Sequence, residues 1–296
     1  MLRWLAIAAL TLIVGLFAFT KLVAPSNQLN ILDAVMLGGS GVSRVAEGVV
    51  FDTANGVKLD VWAPKEKAKA KRPVLVFFYG GGWYAGERAH YGFVGKAYAA
   101  KGFVVVMADY RKVPQVRFPA FNEDGANAVR WVQDNIEKFG GDPKRVTLAG
   151  HSAGAYIAMM LTLDQRYLRN AGVTPGFVRA TVGLAGAYDF LPFDSVRSIN
   201  AFAKWPKPIE TQPIAFARAD APPIMVLTGT HDDTVKPRHA ILLARKLREL
   251  GARAEFKAYP TLNHEDLIMA ISTPFRGKGT ILDDSSMFLL ENSRLN

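Results

Sequence analysis

The chain has 296 residues, a formal net charge of +10 and no cysteine. Half of its residues are hydrophobic and 21% are charged, a balance that supports a sizeable core and excludes a largely disordered chain. Without cysteine there is neither a disulfide nor a thiolate metal site. The densest basic run, residues 65–72, lies between two predicted strands and has no interleaved aromatic residues, so the charge does not predict nucleic-acid binding.

The N-terminus predicts a membrane segment. Residues 4–19 contain no charged side chain, Arg3 precedes them and Lys21 follows. Extended to residue 20, this stretch is just long enough to cross the hydrocarbon layer of a bilayer. We predict that residues 1–24 form an anchor with Arg3 on the cytoplasmic side, which puts the rest of the chain on the periplasmic or extracellular side. The alternative is a signal peptide that is cleaved to release a secreted protein, although residues 22–24 make a poor cleavage site.

The remaining elements follow in chain order. Residues 25–43 predict a tether or a short helix, and residues 44–296 a single main domain. Its first two strands, residues 44–51 and 57–62, predict a hairpin turned at Asn55-Gly56. Buried strands are then predicted at residues 73–79, 103–107, 145–149, 178–184, 223–228 and 254–259. Helices are predicted at residues 90–101, 121–139, 155–163, 238–250 and 264–271.

This alternation predicts an α/β fold with a mostly parallel central sheet and helices on both faces. The pattern breaks at residues 189–221, where five prolines and five large aromatic residues lie in or beside the segment. We predict that this segment is a short lid or pocket wall inserted after a strand.

The pentapeptide from Gly150 to Gly154 predicts a nucleophile. It reads G-x-S-x-G, with a predicted strand before it and a run of helix formers after it, the context of a nucleophile elbow. Ser152 at the apex of so tight a turn needs small neighbours, which Ala153 and the glycines supply. The N–H groups at the start of the following helix would face an anion formed beside the serine.

A serine nucleophile needs a base, and His264 is the best candidate among the five histidines. It follows the last predicted strand, late in the chain, where the order Ser…Asp…His puts it. His239 falls inside a predicted helix, His90 near the start of one, and His231 beside the predicted acid. His151 flanks the serine and is expected to point away from its hydroxyl.

The acid that orients the base should follow the penultimate strand. Asp232 and Asp233 both do, and Asp232 is favoured because Asp233 reads as the turn or cap that leads into the next helix. Asp189, at the end of an earlier strand, is a third candidate. Such an acid stays ionised and holds the imidazole in the correct tautomer.

Backbone N–H groups are predicted to form the oxyanion hole. Ala153 supplies one, immediately after the nucleophile. Gly81 and Gly82 supply the others from the loop after the third strand, which resembles the HGGG loop of esterases. Trp83, Tyr84 and Tyr156 are expected to line the substrate pocket.

Together these motifs resemble the α/β-hydrolase superfamily, specifically the carboxylesterase branch of hormone-sensitive-lipase-like and feruloyl-esterase-like enzymes. Asp109-Tyr110-Arg111 is similar to the D-Y-R segment of that branch, and residues 141–146 to its approach to the elbow. The resemblance covers about residues 44–272. It implies hydrolysis of carboxylic esters without metal or cofactor by a triad of Ser152, Asp232 and His264.

Two departures bear on the subfamily. Tyr79 stands where the HGGG loop has histidine, and His151 stands where the hormone-sensitive-lipase-like group has an acidic residue. The chain is also similar to isoprenylcysteine methylesterases and arylformamidases. We therefore expect a serine esterase for small-molecule esters, with short acyl chains because no long apolar lid is evident. An amidase on the same scaffold and a non-catalytic binding protein are the alternatives.

Overall fold

This computed structural model describes Val23 and residues 25–294. The predicted anchor, residues 1–24, lies outside the described residues except for Val23. Among the helices between residues 25 and 294, none combines the length and the apolar character needed to cross a bilayer.

The described residues contain one eight-stranded sheet with the order β1-β2-β4-β3-β5-β6-β7-β8. The strands are β1 (Val42–Asp52), β2 (Val57–Pro64), β3 (Arg72–Phe78), β4 (Val104–Ala108), β5 (Gly141–His151), β6 (Val178–Leu184), β7 (Ile224–Gly229) and β8 (Ala254–Tyr259). β2 runs antiparallel to both β1 and β4, and the other neighbours are parallel.

Helices cover the two faces of the sheet. They are α1 (Pro25–Val35), α2 (Gly92–Ala100), α3 (Ala120–Asn135), α4 (Ala153–Leu163), α5 (Gln165–Asn170), α6 (Val196–Phe202), α7 (Arg238–Glu249), α8 (His264–Met269) and α9 (Ile281–Asn292). Short 3-10 helices join them, among them Arg88–Tyr91, Pro208–Thr211, Pro213–Phe216 and Thr273–Lys278.

The predicted fold class is confirmed. β4 and β7 are buried along their whole length, as expected of continuous apolar strands in a parallel sheet covered on both faces. The hairpin between β1 and β2 turns through residues 53–56, and Gly56 adopts the positive φ of 65° that the turn requires.

Tertiary pairing extends some elements and adds others. β5 begins at Gly141 because Arg72 pairs with that residue, four residues before the predicted start. α9 was not among the predicted elements; it packs Phe288 and Leu289 into the core, and its Ser285 hydroxyl lies 2.7 Å from the Tyr98 hydroxyl. The segment at residues 189–221 contains α6 and two 3-10 helices, joined by loops.

The register of the sheet positions the site. Phe78, the last residue of β3, pairs with Gly150, and His151 at the end of β5 pairs with Leu184. The loops that follow β3 and β5 therefore leave the sheet side by side at its carboxyl edge, the usual place for a site in an open parallel sheet.

Candidate active site

Ser152 occupies the strained apex of the turn between β5 and α4. Its φ of 54° and ψ of −120° lie outside the regions that L-residues usually adopt. Two backbone hydrogen bonds hold it there: its N–H donates to the Leu184 carbonyl at 2.9 Å, and its own carbonyl accepts from the Tyr156 N–H at 3.0 Å. The strain is thus sustained by the adjoining strand and helix, as the elbow motif requires.

Glycine is sterically required at Gly154, two residues after the serine of the elbow. A Cβ added to Gly154 would collide with the Phe78 carbonyl oxygen on the neighbouring strand. The same close approach brings the start of α4 against the loop after β3. Ala153 is the first residue of α4, so its N–H is one of those that a helix leaves without an intrahelical partner.

His264 and Asp232 form a buried pair. His264 Nδ1 lies 2.8 Å from Asp232 Oδ2, and the two side chains are 7% and 0% exposed. The other carboxylate oxygen, Oδ1, accepts from the backbone N–H groups of Thr234 at 3.0 Å and Val235 at 2.7 Å. An ionised Asp232 accepts from Nδ1–H, which leaves the lone pair of the imidazole on Nε2.

The start of α8 orients this imidazole. His264 is the first residue of the helix, and Asn263 before it accepts from the Asp266 N–H at 2.9 Å in a capping box. The cap fixes the backbone from which the His264 side chain projects.

The other candidate acids lie elsewhere. Asp233 has a side chain that is 90% exposed and pairs with Lys236 at 2.6 Å. Asp189 lies beside His239, whose Nδ1 accepts from the Asp189 N–H at 3.3 Å. Of the three aspartates, Asp232 is the one that contacts His264.

The loop after β3 is rich in unusual backbone conformations. Gly81, Gly82 and Trp83 all have positive φ, at 137°, 61° and 66°. The Gly81 carbonyl accepts from the N–H groups of Tyr84 at 3.2 Å and Ala85 at 3.0 Å, so it points back into the loop. A Cβ on Gly81 would collide with the Ala85 carbonyl, which makes glycine necessary there.

Tyr79 fixes the base of this glycine loop. Its hydroxyl donates to Asp109 Oδ1 at 2.8 Å, and its carbonyl accepts from the Tyr110 hydroxyl at 3.0 Å. Burial and the neighbouring Asp109 charge raise the pKa of Tyr79 well above its ordinary value, so the phenol keeps its proton. Arg88 Nη1 completes the network by donating to Asp109 Oδ2 at 2.6 Å. The tyrosine that replaces the usual histidine thus supports the loop through the D-Y-R segment.

Arg111, the last residue of that segment, ties the region to α3. Its guanidinium donates to both oxygens of Asp124 at 2.8–3.0 Å, and the Asp124 side chain is 0% exposed. Such paired hydrogen bonds restrict the orientation of both partners.

His151 packs against the candidate base. The two imidazole rings lie 4.8 Å apart between centroids, and His151 Nε2 is 3.1 Å from the His264 carbonyl. Burial, followed by the proximity of His264, lowers the pKa of His151 to about 3. The neutral ring therefore donates from Nε2 to that carbonyl and helps to hold the backbone of His264.

Ser152 and His264 open into one cavity of about 410 Å³. Gly81, Gly82 and Tyr84 line it on the side of the glycine loop, and Arg197 of α6 lies at the Tyr84 ring, 5.4 Å from its centroid. The remaining wall is largely apolar and includes Leu29, Leu32, Ile268, Met269 and Phe275.

Two predicted pocket residues are not in this wall. Trp83 and Tyr156 are 7% and 0% exposed and pack edge to face at 5.5 Å in an aromatic cluster with Phe190 and Phe202. The positive φ of Trp83 turns its ring away from the cavity and towards α6.

The structure offers no evident cation site in the part of the chain that it describes. Between residues 25 and 294, no three histidine, aspartate or glutamate side chains are grouped so that they could hold a metal ion.

A family model matches residues 59–247 of this sequence, a range that includes the glycine loop, the elbow and Asp232. The chain belongs to the BD-FAE family. Its resemblance to the carboxylesterase branch of the α/β-hydrolase superfamily is thereby confirmed.

Among the curated proteins to which this chain is similar are esterases. The chain is 29% identical over 263 residues to isoprenylcysteine alpha-carbonyl methylesterase ICME of Arabidopsis thaliana, a match that covers 81% of this chain and 61% of the relative. It is 32% identical over 213 residues to esterase LipC of Mycobacterium tuberculosis, covering 65% of this chain and 52% of LipC. The chain thus spans between half and two thirds of the length of these relatives.

Solved structures share the fold. A truncated carbohydrate esterase from gut microbiota superposes with a TM-score of 0.72 at 22% identity, covering 85% of this chain and 96% of that one. Thermogutta terrifontis esterase 2 with bound butyrate superposes with a TM-score of 0.69 at 23% identity, covering 83% and 94%.

Sequence reasoning missed part of the cavity wall. α1 contributes Leu29 and Leu32, and α6 contributes Arg197. Residues 31–37, within the predicted tether, are largely apolar, but only the tertiary structure brings α1 to the cavity of Ser152.

Proposed function

We propose that this chain is a serine hydrolase that cleaves carboxylic esters of small molecules. The observation that carries the proposal is the convergence of the strained Ser152 and the buried Asp232–His264 pair on one cavity. The esterases among its relatives support the same activity.

In the proposed mechanism, Ser152 Oγ attacks the ester carbonyl carbon while His264 Nε2 takes its proton. The Gly81, Gly82 and Ala153 N–H groups stabilise the oxyanion, a contribution of about 10²–10³ in rate per donor in other hydrolases. The C–O bond to the alcohol breaks as His264 returns the proton to the leaving oxygen. Water, deprotonated by the same imidazole, then attacks the acyl-enzyme and releases the acid and the free serine.

We further propose a preference for short acyl groups. Trp83 of the glycine loop packs with Tyr156, Phe190 and Phe202 in a buried aromatic cluster. On this proposal, the packed rings limit the length of the acyl group that fits beside the glycine loop. The cavity volume of about 410 Å³ suits a compact substrate.

The apolar stretch at residues 4–19 supports a proposal about location. It would anchor the chain in a membrane, with the main domain on the periplasmic or extracellular side. Extraction of cell membranes at alkaline pH tests this: an anchored chain stays in the pellet, whereas a cleaved and secreted one is found outside the cells without residues 1–24.

The serine is tested by replacing it in the full chain. Ser152→Ala should lower turnover of p-nitrophenyl acetate by several orders of magnitude, about 10⁶ by analogy with other serine hydrolases. Esters from acetate to palmitate, assayed beside N-formylkynurenine, test the acyl preference and the amidase alternative. Serine-dependent turnover that is fastest on the formamide would move the assignment to an amidase.

The Ser152→Ala variant also separates a catalyst from a non-catalytic scaffold. A wild-type chain that hydrolyses none of these substrates and resists labelling by a fluorophosphonate would contradict the proposed activity. Turnover that survives Ser152→Ala would contradict the mechanism.

A further inference from the structure

α1 carries an exposed apolar face beside the cavity. Its inward side chains, Leu29 and Asp33, are 8% and 1% exposed, and Asp33 Oδ1 accepts from the Thr273 N–H at 2.8 Å. The outward side of α1 and the turn after it exposes five large apolar residues, which we call the α1 face: Ile31 at 40%, Leu32 at 43%, Val35 at 74%, Met36 at 54% and Leu37 at 76%.

Leu37 combines two features that cost free energy in a protein dissolved in water: a left-handed backbone and an exposed apolar side chain. The end of α1 forms a Schellman motif, in which the Gly38 N–H donates to the Asp33 carbonyl at 2.8 Å and the Leu37 N–H to the Ala34 carbonyl at 3.1 Å. Leu37 takes the left-handed position of that motif, with φ 58°, where glycine or asparagine is usual. A leucine there combines backbone strain with an apolar side chain that is 76% exposed.

The α1 face is continuous with the candidate active site. Leu32 belongs to the face and also lines the cavity of Ser152, together with Pro25, Ser26 and Leu29 of the same helix. A surface that covers the α1 face would therefore lie against one wall of the cavity.

The sequence before α1 indicates what that surface is. The apolar stretch ends at Phe19, and five residues separate it from Pro25. A chain of that length spans at most about 20 Å, so a bilayer that contains the stretch lies close to the start of α1. The net charge of +10 favours approach to an anionic lipid surface.

We propose that the α1 face docks on a lipid bilayer and that the cavity takes esters dissolved in that bilayer. This inference rests on the proposed ester hydrolysis and specifies its substrate class: a short acyl group on a lipophilic alcohol. The acyl group lies at the glycine loop, beside Gly81 and Gly82, and the apolar wall of Leu29, Leu32 and Phe275 receives the alcohol. Docking by α1 shortens the path of such an ester from the lipid to Ser152.

The absence of cysteine permits a direct test of contact with lipid. The full chain with Val35→Cys, labelled with nitrobenzoxadiazole, is mixed with vesicles of phosphatidylcholine and phosphatidylglycerol. The emission should shift to the blue on vesicles and not in their absence. The control label at Met287→Cys, a residue 57% exposed on α9, should keep its aqueous emission.

Two results of the labelling would overturn the proposal. Aqueous emission at position 35 on a vesicle-bound chain would show that the α1 face does not meet the lipid. A blue shift without vesicles would show that residues 1–22 or a second copy of the chain covers the face instead.

The second test measures substrate delivery by the α1 face. The variant Val35→Gln, Met36→Gln, Leu37→Asn removes apolar groups that do not line the cavity, and asparagine suits the left-handed position. We expect release of acetate from a long-chain alkyl acetate carried in vesicles to fall about tenfold, with hydrolysis of dissolved p-nitrophenyl acetate unchanged. The control variant Ile241→Gln, Leu250→Asn, Met287→Gln should match the wild type on both esters.

The paired esters separate the two proposals. Equal rates of wild type and α1 variant on the vesicle-borne acetate would overturn docking and leave ester hydrolysis intact. A wild-type chain inactive on the dissolved acetate would contradict the proposed hydrolysis, whereas the fluorescence of the label at position 35 would still report contact with lipid.

Discussion

At the scale of single residues, the site depends on hydrogen bonds that give each side chain one orientation. Asp232 uses one carboxylate oxygen on two backbone N–H groups and the other on His264 Nδ1. His151 Nε2 donates to the His264 carbonyl. The imidazole is thus fixed through its ring and through its backbone, which is the preorganisation that general-base catalysis needs.

The two adjacent aspartates after β7 allow a matched test. Asp232→Asn keeps the size of the side chain but removes its charge and its preference for Nδ1–H, so kcat on p-nitrophenyl acetate should fall about 10⁴-fold, as in other serine hydrolases. Asp233→Asn, at a side chain 90% exposed, should leave kcat close to that of the wild type. The reverse pattern in steady-state assays would reassign the acid to Asp233.

At the scale of elements, α6 stabilises the glycine loop. Phe202 at its end is 1% exposed, and its ring centroid lies 4.8 Å from that of Trp83, 5.1 Å from Phe190 and 5.3 Å from Tyr156. The segment predicted as a lid therefore packs an aromatic face against the loop that would hold the oxyanion, while Val196 at its start is 75% exposed.

One buried and one exposed residue of α6, Phe202 and Ile199, test this packing. Phe202→Ala removes a buried ring and should lower the free energy of unfolding by about 3–5 kcal/mol. Ile199→Ala, at a side chain 46% exposed on the same helix, should change it by less than about 0.5 kcal/mol. Urea unfolding of the full chain in non-ionic detergent measures both. Similar small losses for the two variants would mean that the aromatic cluster does not support the domain.

At the scale of the whole molecule, buried neutral imidazoles make the fold sensitive to acid. Burial lowers the pKa of His151 to about 3 and that of His239 to about 4, from an ordinary value of 6.5. The unfolded chain binds these protons below pH 6.5 and the folded chain does not. Above pH 6.5 both states leave the imidazole neutral, and the free energy of unfolding is unaffected. As the pH falls from 6.5 towards the folded-state pKa, the unfolded chain gains protons that the folded chain does not, so the free energy of unfolding decreases.

The pH dependence of His151→Gln measures this contribution. At pH 5 the neutral His151 should cost the folded state about 2 kcal/mol relative to its stability well above pH 6.5. Urea unfolding at pH 7 and pH 5 should therefore give a difference that is smaller by about that amount in His151→Gln than in the wild type. His231→Gln, at an exposed histidine, serves as the control. An unaltered pH difference in His151→Gln would mean that this imidazole takes up its proton without unfolding.

Some features of this protein follow from the sequence alone because they depend on local chemistry. The continuous apolar strands and amphipathic helices predicted the mostly parallel sheet, and small residues around Ser152 predicted the elbow, since only they fit so tight a turn. The order of Ser152, Asp232 and His264 along the chain also anticipated which residues the structure groups at the carboxyl edge of the sheet.

Other features depend on contacts between distant segments, which no local pattern encodes. Asp232 rather than Asp233 meets His264 because the turn after β7 buries one side chain and exposes the other. Trp83 joins the aromatic cluster instead of the cavity because of its backbone conformation and the position of α6. α1 becomes a wall of the cavity because Asp33 binds the Thr273 N–H, 240 residues away along the chain, at the start of the 3-10 helix that follows α8. Periodicity and motifs thus determined the elements and the reacting groups, whereas the shape and exposure of the cavity were decided by packing.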